Sequence, residues 1–424
     1  MGNMALGIDV GSSGVRVAAL DPNGRRAAFA AVPMATAREE ATRIVQDPTT
    51  WWNAARQALQ MLRHRIDFAQ IGALAVDGTS GSILGVDVGG RPMTPGSMFS
   101  SPAQHEIVGT VAAFAPSETA AHGRTSALAR AITMQHAPGV VRVLHQADWV
   151  SGLFSGRFDV TDENNALKTG YDPVARCWPN WVERAGMLPD RLPAVVRPGT
   201  VTGQILRSRA AELGLPTNTA IVAGTTDGCA AFLATGASKI GEAVTSLGTT
   251  LVLKLLSNRP LFAPDLGVYS HRIADGWLIG GASNSGGAAI GRHFSLDRIR
   301  ALSAHMCPDV PTGLNFYPLP GRGERFPLND PDMEAQIEPR PASDDHFLQG
   351  LMEGVANIER RGYAVLREMS GTEVASIRAV GGGSRNLPWR AIRSRVLGVP
   401  LIEPEDDQPA SGTAKLAWHG LRNR

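Results

Sequence analysis

The chain has 424 residues, of which 43 % are hydrophobic and 19 % are charged, and its formal net charge at pH 7 is +2. This composition is typical of a folded protein long enough for two domains of ordinary size, and it excludes an intrinsically disordered chain. The almost balanced charge gives no reason to expect a nucleic acid or a membrane surface as partner. No apolar run reaches the roughly 18 residues that a membrane-spanning helix needs.

The cysteines are few, odd in number and widely separated: Cys177, Cys229 and Cys307. This spacing fits neither a disulfide framework nor a zinc site, so we expect a reducing, cytoplasmic compartment. The histidines show no regular ligand spacing, and we expect no dedicated metal cage. Because the chain begins almost at once with an apolar strand, we also expect no secretory signal.

The first predicted element is a hairpin whose first strand ends at Asp9. Small and hydroxyl residues at 11–14 form its turn, and a second apolar strand follows over residues 15–20. The tetrapeptide at 21–24 contains Pro and Gly and predicts a turn toward a third strand near residues 27–33. Bare N–H groups and hydroxyls beside an acid can hold phosphate oxygens, a metal ion or a substrate hydroxyl, although a purely structural hairpin has the same pattern.

The next elements alternate between helix and strand. The apolar spacing predicts a helix over residues 48–65, in which Trp51 and Trp52 face the core. Strands are predicted over 71–77 and 83–88, joined by DGTSG at residues 77–81, and a helix over 146–154. The polar, Asn-rich stretch 161–171 is predicted to be a substrate-facing loop.

A short apolar strand over residues 221–223 runs into GTTDG, and a helix is predicted over 229–236. Asp227 therefore lies where a strand gives way to a helix N-terminus, with unpaired N–H groups nearby. An acid at such a place is either a helix cap or a catalytic base, and the two roles are compatible.

A second hairpin, over residues 242–256, repeats the first pattern with Gly248, Thr249 and Thr250 at its turn, and another strand follows at 277–281. Repetition of one supersecondary pattern predicts two domains of similar topology. Two Gly-hydroxyl loops on one triphosphate are typical of the actin-like ATPase fold, which predicts a nucleotide cleft between the domains.

A third glycine-rich segment, GGGSRN at residues 381–386, precedes a helix that begins near Pro388. The three glycines would let a flat group lie against the backbone, with Asn386 and Trp389 beside it; a tight strand-to-helix turn is the alternative. The residues at 411–414 are predicted to cap a final helix that packs back on the first domain.

In this order, four motifs resemble the FGGY family of carbohydrate kinases: GIDVGSS at 7–13, GTTDG at 224–228, SLGTT at 246–250 and GGGSRN at 381–386. The resemblance extends over essentially the whole chain. Within the family the chain looks most like the short pentulose kinases of the D-ribulose kinase type. The stretches that carry this finer resemblance are 77–81, 164–171, 267–271 and 317–327.

The resemblance implies an α/β fold of two RNase H-like, actin-like ATPase domains with a nucleotide and sugar cleft between them. Residues 1–233, with 408–424 packed on them, would bind the sugar, and residues 234–407 would bind the nucleotide. It implies ATP and Mg²⁺ as cofactors and small molecules, sugar and ATP, as the only expected partners. The oligomeric state stays open.

The same resemblance assigns site residues. Asp227 would be the general base, and Asp9 would lie near the metal, which it would hold through water. The expected sugar contacts are Asp9, Ser13, Gly14, Ser80 and Asp227. The expected nucleotide contacts are Ser12, Gly248, Thr249, Gly281, Gly382, Gly383, Asn386 and Trp389. Roles for Lys168, Arg322, Glu324 and Arg325 stay open between ligand contact and ordinary solvated or ion-paired loop residues.

One departure from the family is plain. Longer members carry a Trp-x-Asp-x-Arg segment that grips the sugar, whereas residues 93–101 here read MTPGSMFSS. Sugar contacts must therefore differ. We expect ATP-dependent phosphorylation of D-ribulose to D-ribulose 5-phosphate. The alternatives are D-xylulose, another ketose or a polyol, and a non-catalytic sugar or nucleotide sensor on the same scaffold, which would have no need of a base at Asp227.

Overall fold

The structure is a computed structural model that describes residues 2–422. Contacts divide the chain into two compact units. The first comprises the residues up to 234 together with those from 408 onward, and the second comprises residues 235–407. Among the described residues, no helix has both the length and the apolar character that crossing a lipid bilayer requires.

The strands in chain order are β1 (Met4–Val10), β2 (Gly14–Leu20), β3 (Arg26–Pro33), β4 (Arg38–Glu40), β5 (Arg43–Gln46), β6 (Ile71–Gly78), β7 (Ile83–Val86), β8 (Gly96–Ser97), β9 (Arg142–His145), β10 (Val160–Asp162), β11 (Ala194–Val196), β12 (Val201–Gln204), β13 (Ala220–Val222), β14 (Glu242–Leu247), β15 (Leu251–Ser257), β16 (His271–Ile273), β17 (Gly276–Ser283), β18 (Ser376–Val380) and β19 (Leu401–Ile402).

The helices in chain order are α1 (Pro48–Arg63), α2 (His105–Phe114), α3 (Ala127–Met134), α4 (Gln146–Ser155), α5 (Glu163–Ala166), α6 (Asn180–Arg184), α7 (Arg207–Leu213), α8 (Asp227–Ala234), α9 (Gly287–Gly291), α10 (Leu296–Ser303), α11 (Asp344–Ser370), α12 (Leu387–Leu397) and α13 (Pro409–Arg422).

The central sheet of the first unit has the order β12-β13-β6-β1-β2-β3. β1 pairs antiparallel with β2 and parallel with β6, and β6 pairs parallel with β13. β1 and β6 are buried along their whole length, which explains why their sequences are almost continuously apolar. The parallel pairing brings the carboxyl ends of β1, β6 and β13 to one edge of the sheet, and this edge carries the candidate site.

Helices cover this sheet. α1 begins at the cap Asp47, whose side chain accepts the Thr49 N–H, and it buries Trp51 completely. The last helix, α13, packs on β1, and a side chain at Gly7 would overlap the Ala410 carbonyl there. Only glycine allows so close an approach. The C-terminal residues are therefore part of the first unit's core.

A smaller sheet of the first unit has the order β4-β5-β8-β7-β9. The helices α2 and α3 contribute Val111, Leu128 and Ile132 to its hydrophobic cluster. β7 continues the chain from the end of β6, so the connection between the two sheets, residues 79–82, leaves the same edge of the central sheet as the candidate site.

The sheet of the second unit has the order β16-β17-β15-β14-β18-β19. β14 pairs antiparallel with β15 and parallel with β18, as β1 does with β2 and β6. The long helix α11 begins at the cap Ser343 and packs with α12 around a core that includes Phe326 and Phe347. The repeated hairpin therefore corresponds to a repeated topology, and the predicted fold of two α/β domains is confirmed.

Two local predictions are wrong. Residues 161–171 were predicted to be a substrate-facing loop, but they are not a loop: they contain the end of β10 and the helix α5, whose cap Asp162 is 3 % exposed and accepts the Asn164 and Asn165 N–H groups. The polar side chains are buried because they form hydrogen bonds within the stretch and with Thr225. Residues 411–414 are not a cap either, since α13 already begins at Pro409, and their small side chains allow close packing.

Candidate active site

Three carboxylates meet at the carboxyl edge of the first unit's central sheet. Asp9, near the end of β1, lies opposite Asp77, near the end of β6, in the parallel ladder. Gly78 forms a further bridge with Thr226, which directly precedes Asp227 at the start of α8. Ligand sites of open α/β sheets lie at such an edge. The structure thus brings the predicted residues Asp9 and Asp227 together and adds Asp77, which the sequence did not single out as a site residue.

Asp9 and Asp77 are strongly affected by burial. Asp9 is 4 % exposed and Asp77 is 0 % exposed. Burial raises the pKa of Asp9, while the Arg16 guanidinium, with Nη1 3.7 Å from Asp9 Oδ2, opposes the shift. Burial also raises the pKa of Asp77 well above its usual range, and the charge of Asp9 adds to this. The pKa of both carboxyl groups is thus raised, because two adjacent buried carboxylates cannot both ionise cheaply.

The C-terminal helix reaches this pair. Thr413 Oγ1, on α13, donates a hydrogen bond to Asp77 Oδ2. The other oxygen, Asp77 Oδ1, is buried and has no hydrogen-bond partner among residues 2–422. No local pattern in the sequence indicates this contact, since the two residues are 336 positions apart.

Asp227 is positioned by the start of α8 and by one backbone hydrogen bond. It is the first residue of α8, and its Oδ1 accepts the Gly228 N–H at 2.7 Å. Burial raises the pKa of Asp227 to about 6, and the negative charge of Asp9 acts in the same direction. The Gly228 and Ser80 N–H groups and the charge of Lys168 oppose the shift. A carboxylate with such a pKa is ionised at neutral pH and remains a useful proton acceptor.

The turn after β6 is held rigidly around Ser80. Gln146 Oε1 accepts the Thr79 N–H at 3.0 Å and the Thr79 hydroxyl at 2.8 Å. On the other side, Arg130 Nη2 donates to the Gly81 carbonyl at 2.6 Å. Ser80 Oγ is shielded from solvent and has no partner in the described part of the chain. A fixed loop with one unsatisfied hydroxyl is suited to a hydroxylated ligand, and sequence reasoning missed both side chains that fix it.

The first hairpin turn presents its hydroxyls to solvent. Ser12 and Ser13 are exposed, while their backbone is anchored by the Met34 N–H on Ser13 O and by Gln46 Nε2 on Ser12 O. Gly14 is buried in β2, where an added Cβ would lie 2.7 Å from the Val32 carbonyl oxygen. The two serines are thus accessible to a ligand, whereas Gly14 is needed for close strand pairing.

In the second unit, the turn between β14 and β15 packs on the start of α9. The Gly287 N–H donates to Gly248 O at 2.8 Å, and the Ala288 N–H donates to Thr249 O at 3.0 Å. Thr249 is exposed, and the Gly248 N–H is directed back to Thr250 O at 3.2 Å. This rigid, glycine-containing loop at the tip of a hairpin is the second unit's counterpart of residues 11–14.

The glycine-rich segment after β18 divides into exposed and buried parts. Gly382 is exposed, and Gly383 lies directly over the Trp389 ring. The Asn386 side chain caps α12 by accepting the Trp389 N–H and donates to Ser303 Oγ at 2.8 Å. Trp389 is 4 % exposed, and its Nε1 donates to Met352 O. The two glycines therefore form the accessible surface, and Trp389 supports them from below.

Gly281 lies inside β17 and not at a loop. An added Cβ there would lie 2.5 Å from the Phe326 ring, so the glycine makes room for a core aromatic side chain. Of the undecided residues, Arg322 pairs with Asp332 at 2.9 Å, as expected for a loop ion pair. Glu324 instead is buried and accepts the Ser283 hydroxyl at 2.6 Å, where it holds the end of β17.

The described residues of the two units form no ready-made metal cage. Among residues 2–422, no group of three His, Cys, Asp or Glu side chains is placed to hold a metal ion. Mg²⁺ fits the site nevertheless, because it keeps several waters and is commonly bound by one or two carboxylates together with substrate phosphates. Asp9 is a suitable carboxylate for this purpose, since it lies at the open edge of the sheet beside Ser12 and Ser13.

Comparisons with known proteins agree with this architecture. The sequence models of the N-terminal and C-terminal domains of the FGGY family of carbohydrate kinases match residues 4–234 and 243–421. The Escherichia coli (strain K12) xylulose kinase is 25 % identical over 436 residues, which cover 98 % of this chain and 89 % of that protein. The Bacillus subtilis (strain 168) gluconokinase is 28 % identical over 240 residues, which cover 52 % of this chain and 47 % of that protein. A crystal structure of a xyloylose kinase from Brucella ovis superposes with a TM-score of 0.88 at 25 % identity, covering 99 % of this chain and 91 % of that one. This chain belongs to the FGGY family of carbohydrate kinases.

Proposed function

We propose that this protein transfers the γ-phosphoryl group of ATP to the terminal hydroxyl of a ketopentose, with D-ribulose as substrate and D-ribulose 5-phosphate as product. The observation that carries the proposal is the position of Asp227. Its carboxylate has a pKa of about 6 and lies beside a rigid turn whose Ser80 hydroxyl has no partner among the described residues. A base and a hydroxyl-binding group are thus side by side.

In this reaction Asp227 accepts the proton of the sugar's terminal hydroxyl group while the oxygen of that hydroxyl attacks the γ-phosphorus. The new O–P bond forms as the bond from the γ-phosphorus to the β–γ bridging oxygen breaks, and ADP leaves with that electron pair. Little covalent chemistry falls to the protein in phosphoryl transfer, so positioning supplies most of the acceleration. The hydrogen bond from the Gly228 N–H to Asp227 Oδ1 keeps the base in one orientation.

Asp9 and the two hairpin turns would handle the phosphate charge. Asp9 would hold Mg²⁺ through a water molecule, and the bound ion would supply charge neutralisation to the phosphates. Ser12, Gly248 and Thr249 lie at the tips of the equivalent hairpins and would contact phosphate oxygens. Gly382 and Gly383, on the exposed loop over Trp389, would lie against the adenosine. The residues that bind sugar are then in the first unit, and those that bind the nucleotide, apart from Ser12, are in the second.

The choice of D-ribulose rests on the stretches that resemble the D-ribulose kinase type. D-Xylulose is the second candidate, because xylulose kinases are similar over nearly the whole chain. The two sugars are C3 epimers, so only contacts with one hydroxyl distinguish them. Residues 93–101 contain no acid that could make such a contact, and Ser101 Oγ already accepts the Ile44 N–H. We therefore expect the hydroxyl groups of Ser13 and Ser80 to distinguish D-ribulose from D-xylulose.

The test is ADP production by the purified protein with Mg-ATP and D-ribulose, D-xylulose, L-ribulose, ribitol or glycerol, with Asp227→Ala as the inactive variant. We expect strong stimulation by D-ribulose that this variant loses by orders of magnitude. Asp190→Ala removes an exposed acid from the same unit and should keep full activity. If every sugar leaves ATP turnover unchanged, the substrate proposal is wrong; if Asp227→Ala remains active, the base assignment is wrong.

A further inference from the structure

The first unit contains a cavity of about 410 Å³ that the proposed reaction does not use. It lies between the smaller sheet and α3. Its volume falls in the range of roughly 300–1,000 Å³ that small-molecule sites occupy. None of the three carboxylates lines it, and neither does Ser80. Its polar lining residues include Arg43, Thr94, Ser97, Ser101, Arg130 and Thr133.

Arg130 is the unusual member of this lining. It is 6 % exposed and donates only to neutral oxygens: Nη1 to Ser97 O and Oγ, and Nη2 to Gly81 O and Thr125 O. In the part of the chain that the structure describes, no carboxylate lies within ion-pair distance of it, and its Nε is buried without a hydrogen-bond partner. Buried charges are normally paired, because removing an ion from water costs free energy that neutral acceptors only partly restore.

The rest of the lining has matching chemistry. Ser101 Oγ accepts the Ile44 N–H at 3.0 Å, which leaves the hydroxyl proton to be donated. Arg43 adds a second positive charge, with 64 % of its side chain exposed and Glu40 3.4 Å away. The cavity therefore offers one buried cation, one exposed cation and several hydroxyl groups. A neutral or positively charged ligand would leave Arg130 without a counter-ion, whereas an anion would supply one.

We propose that this cavity is a binding site for a small hydroxylated anion, a carboxylate or a phosphate ester, that pairs with Arg130. The lining of this cavity includes none of the residues that we assign to phosphoryl transfer. The cavity and the sugar-binding turn are nevertheless linked, because Arg130 Nη2 also holds the Gly81 carbonyl beside Ser80. A ligand that draws the guanidinium toward the cavity therefore changes the support of the sugar-binding turn, and occupancy should alter the KM for the sugar more than kcat.

The direct test is calorimetric titration of the purified protein, without ATP or ketose, with inorganic phosphate, D-gluconate, D-ribose 5-phosphate and neutral D-ribose. We expect binding of the hydroxylated anions and none of D-ribose. Preference for D-gluconate identifies a carboxylate ligand, and preference for D-ribose 5-phosphate identifies a phosphate ester. Arg130→Gln should weaken this binding about tenfold or more, because a charge-assisted hydrogen bond is lost.

Three further variants keep the test independent of folding and of the catalytic site. Thr133→Phe fills the cavity from an exposed helix position with Arg130 intact, and it should abolish binding. Ser80→Ala changes the substrate turn only and should leave this binding within twofold of wild type. Arg142→Gln is the matched charge control, since Arg142 also has a buried, unpartnered Nε but does not line the cavity. The proposal is overturned if no charged probe binds at millimolar concentration, or if binding survives both Arg130→Gln and Thr133→Phe.

Discussion

The buried ion pair of the second unit gives a prediction whose magnitude follows directly from the geometry. Glu359 on α11 and Arg393 on α12 are 0 % and 1 % exposed, and two hydrogen bonds of 2.7 Å join them. Thr245 Oγ1, on β14, donates to Glu359 Oε1 at 2.5 Å. The pair therefore connects both helices to the strand that ends at the Gly248–Thr250 turn.

Arg393→Met removes one partner and leaves the Glu359 charge buried. Breaking such a pair costs about 3–5 kcal/mol, because the remaining charge has lost its only counter-ion. For a unit of this size that corresponds to a fall in Tm of roughly 6–20 °C, at about 2–4 °C per kcal/mol. The double change Glu359→Leu with Arg393→Met should recover most of the loss, since an apolar pair of similar volume avoids the desolvation cost.

The assay is urea unfolding followed by far-UV circular dichroism, with thermal unfolding of the same variants. Arg390 lies on the same helix but makes an exposed ion pair with Glu403, so Arg390→Met is the matched control and should cost less than about 1 kcal/mol. If Arg393→Met costs no more than this control, or if the double variant is as unstable as the single one, the reasoning about buried charge is refuted.

Three further predictions concern single features of the fold. First, kcat/KM for the sugar should be constant above pH 6 and fall about tenfold per pH unit below it, because Asp227, with its pKa raised to about 6, must be deprotonated to act as base. Second, Thr413→Val should cost about 1–3 kcal/mol in urea unfolding, because it leaves both buried oxygens of Asp77 without a donor. Third, Gly281→Ala should cost about 1–3 kcal/mol, because the methyl group collides with Phe326.

Each of these has a control within the chain. Burial also raises the pKa of Asp162 to about 6, so a profile that shifts in Asp162→Asn would contradict the assignment to Asp227. Thr110 bonds only its own helix at Glu106 O, and Thr110→Val should change stability by less than about 0.5 kcal/mol. Gly109 has no atom within 4 Å of an added Cβ, so Gly109→Ala should not destabilise the protein. If Thr110→Val destabilises the protein as much as Thr413→Val does, the argument about Asp77 is contradicted. If Gly109→Ala destabilises it as much as Gly281→Ala does, the argument about Phe326 is contradicted.

The features that could be predicted from the sequence are those that depend on residues close together in the chain. Each hairpin is specified within about fifteen residues, because apolar alternation defines the strands and the Gly-hydroxyl turn defines their connection. The position of Asp227 between a strand and a helix could be predicted for the same reason, because a strand, an acid and a helix follow one another without interruption. The helix at Pro48–Arg63 is likewise set by its cap Asp47 and its apolar spacing.

Polar residues whose partners are distant in the sequence could not be placed in this way. The stretch at 161–171 has the composition of an exposed loop, yet Asn164 Nδ2 donates to Thr225 Oγ1 and Asn165 Nδ2 donates to Asp162. Composition reports how polar a segment is and not whether its polar groups satisfy one another. Trp389 was expected to contact the nucleotide, but its side chain is buried. An aromatic residue beside a glycine-rich loop gives no indication whether its ring faces a ligand or the core.

Asp77 illustrates why a site is more than its motifs. It ends a strand as Asp9 does, but only the parallel register of β1 with β6 brings the two carboxyl groups together, and only α13 supplies the hydroxyl that holds Asp77. Asp9, Asp77 and Thr413 are widely separated in the sequence. Their proximity follows from strand order, which no local pattern specifies, and this proximity raises the pKa of Asp77. The acid–base properties of the proposed site are therefore a property of the tertiary fold, and they should respond to changes in α13 that touch neither Asp9 nor Asp227.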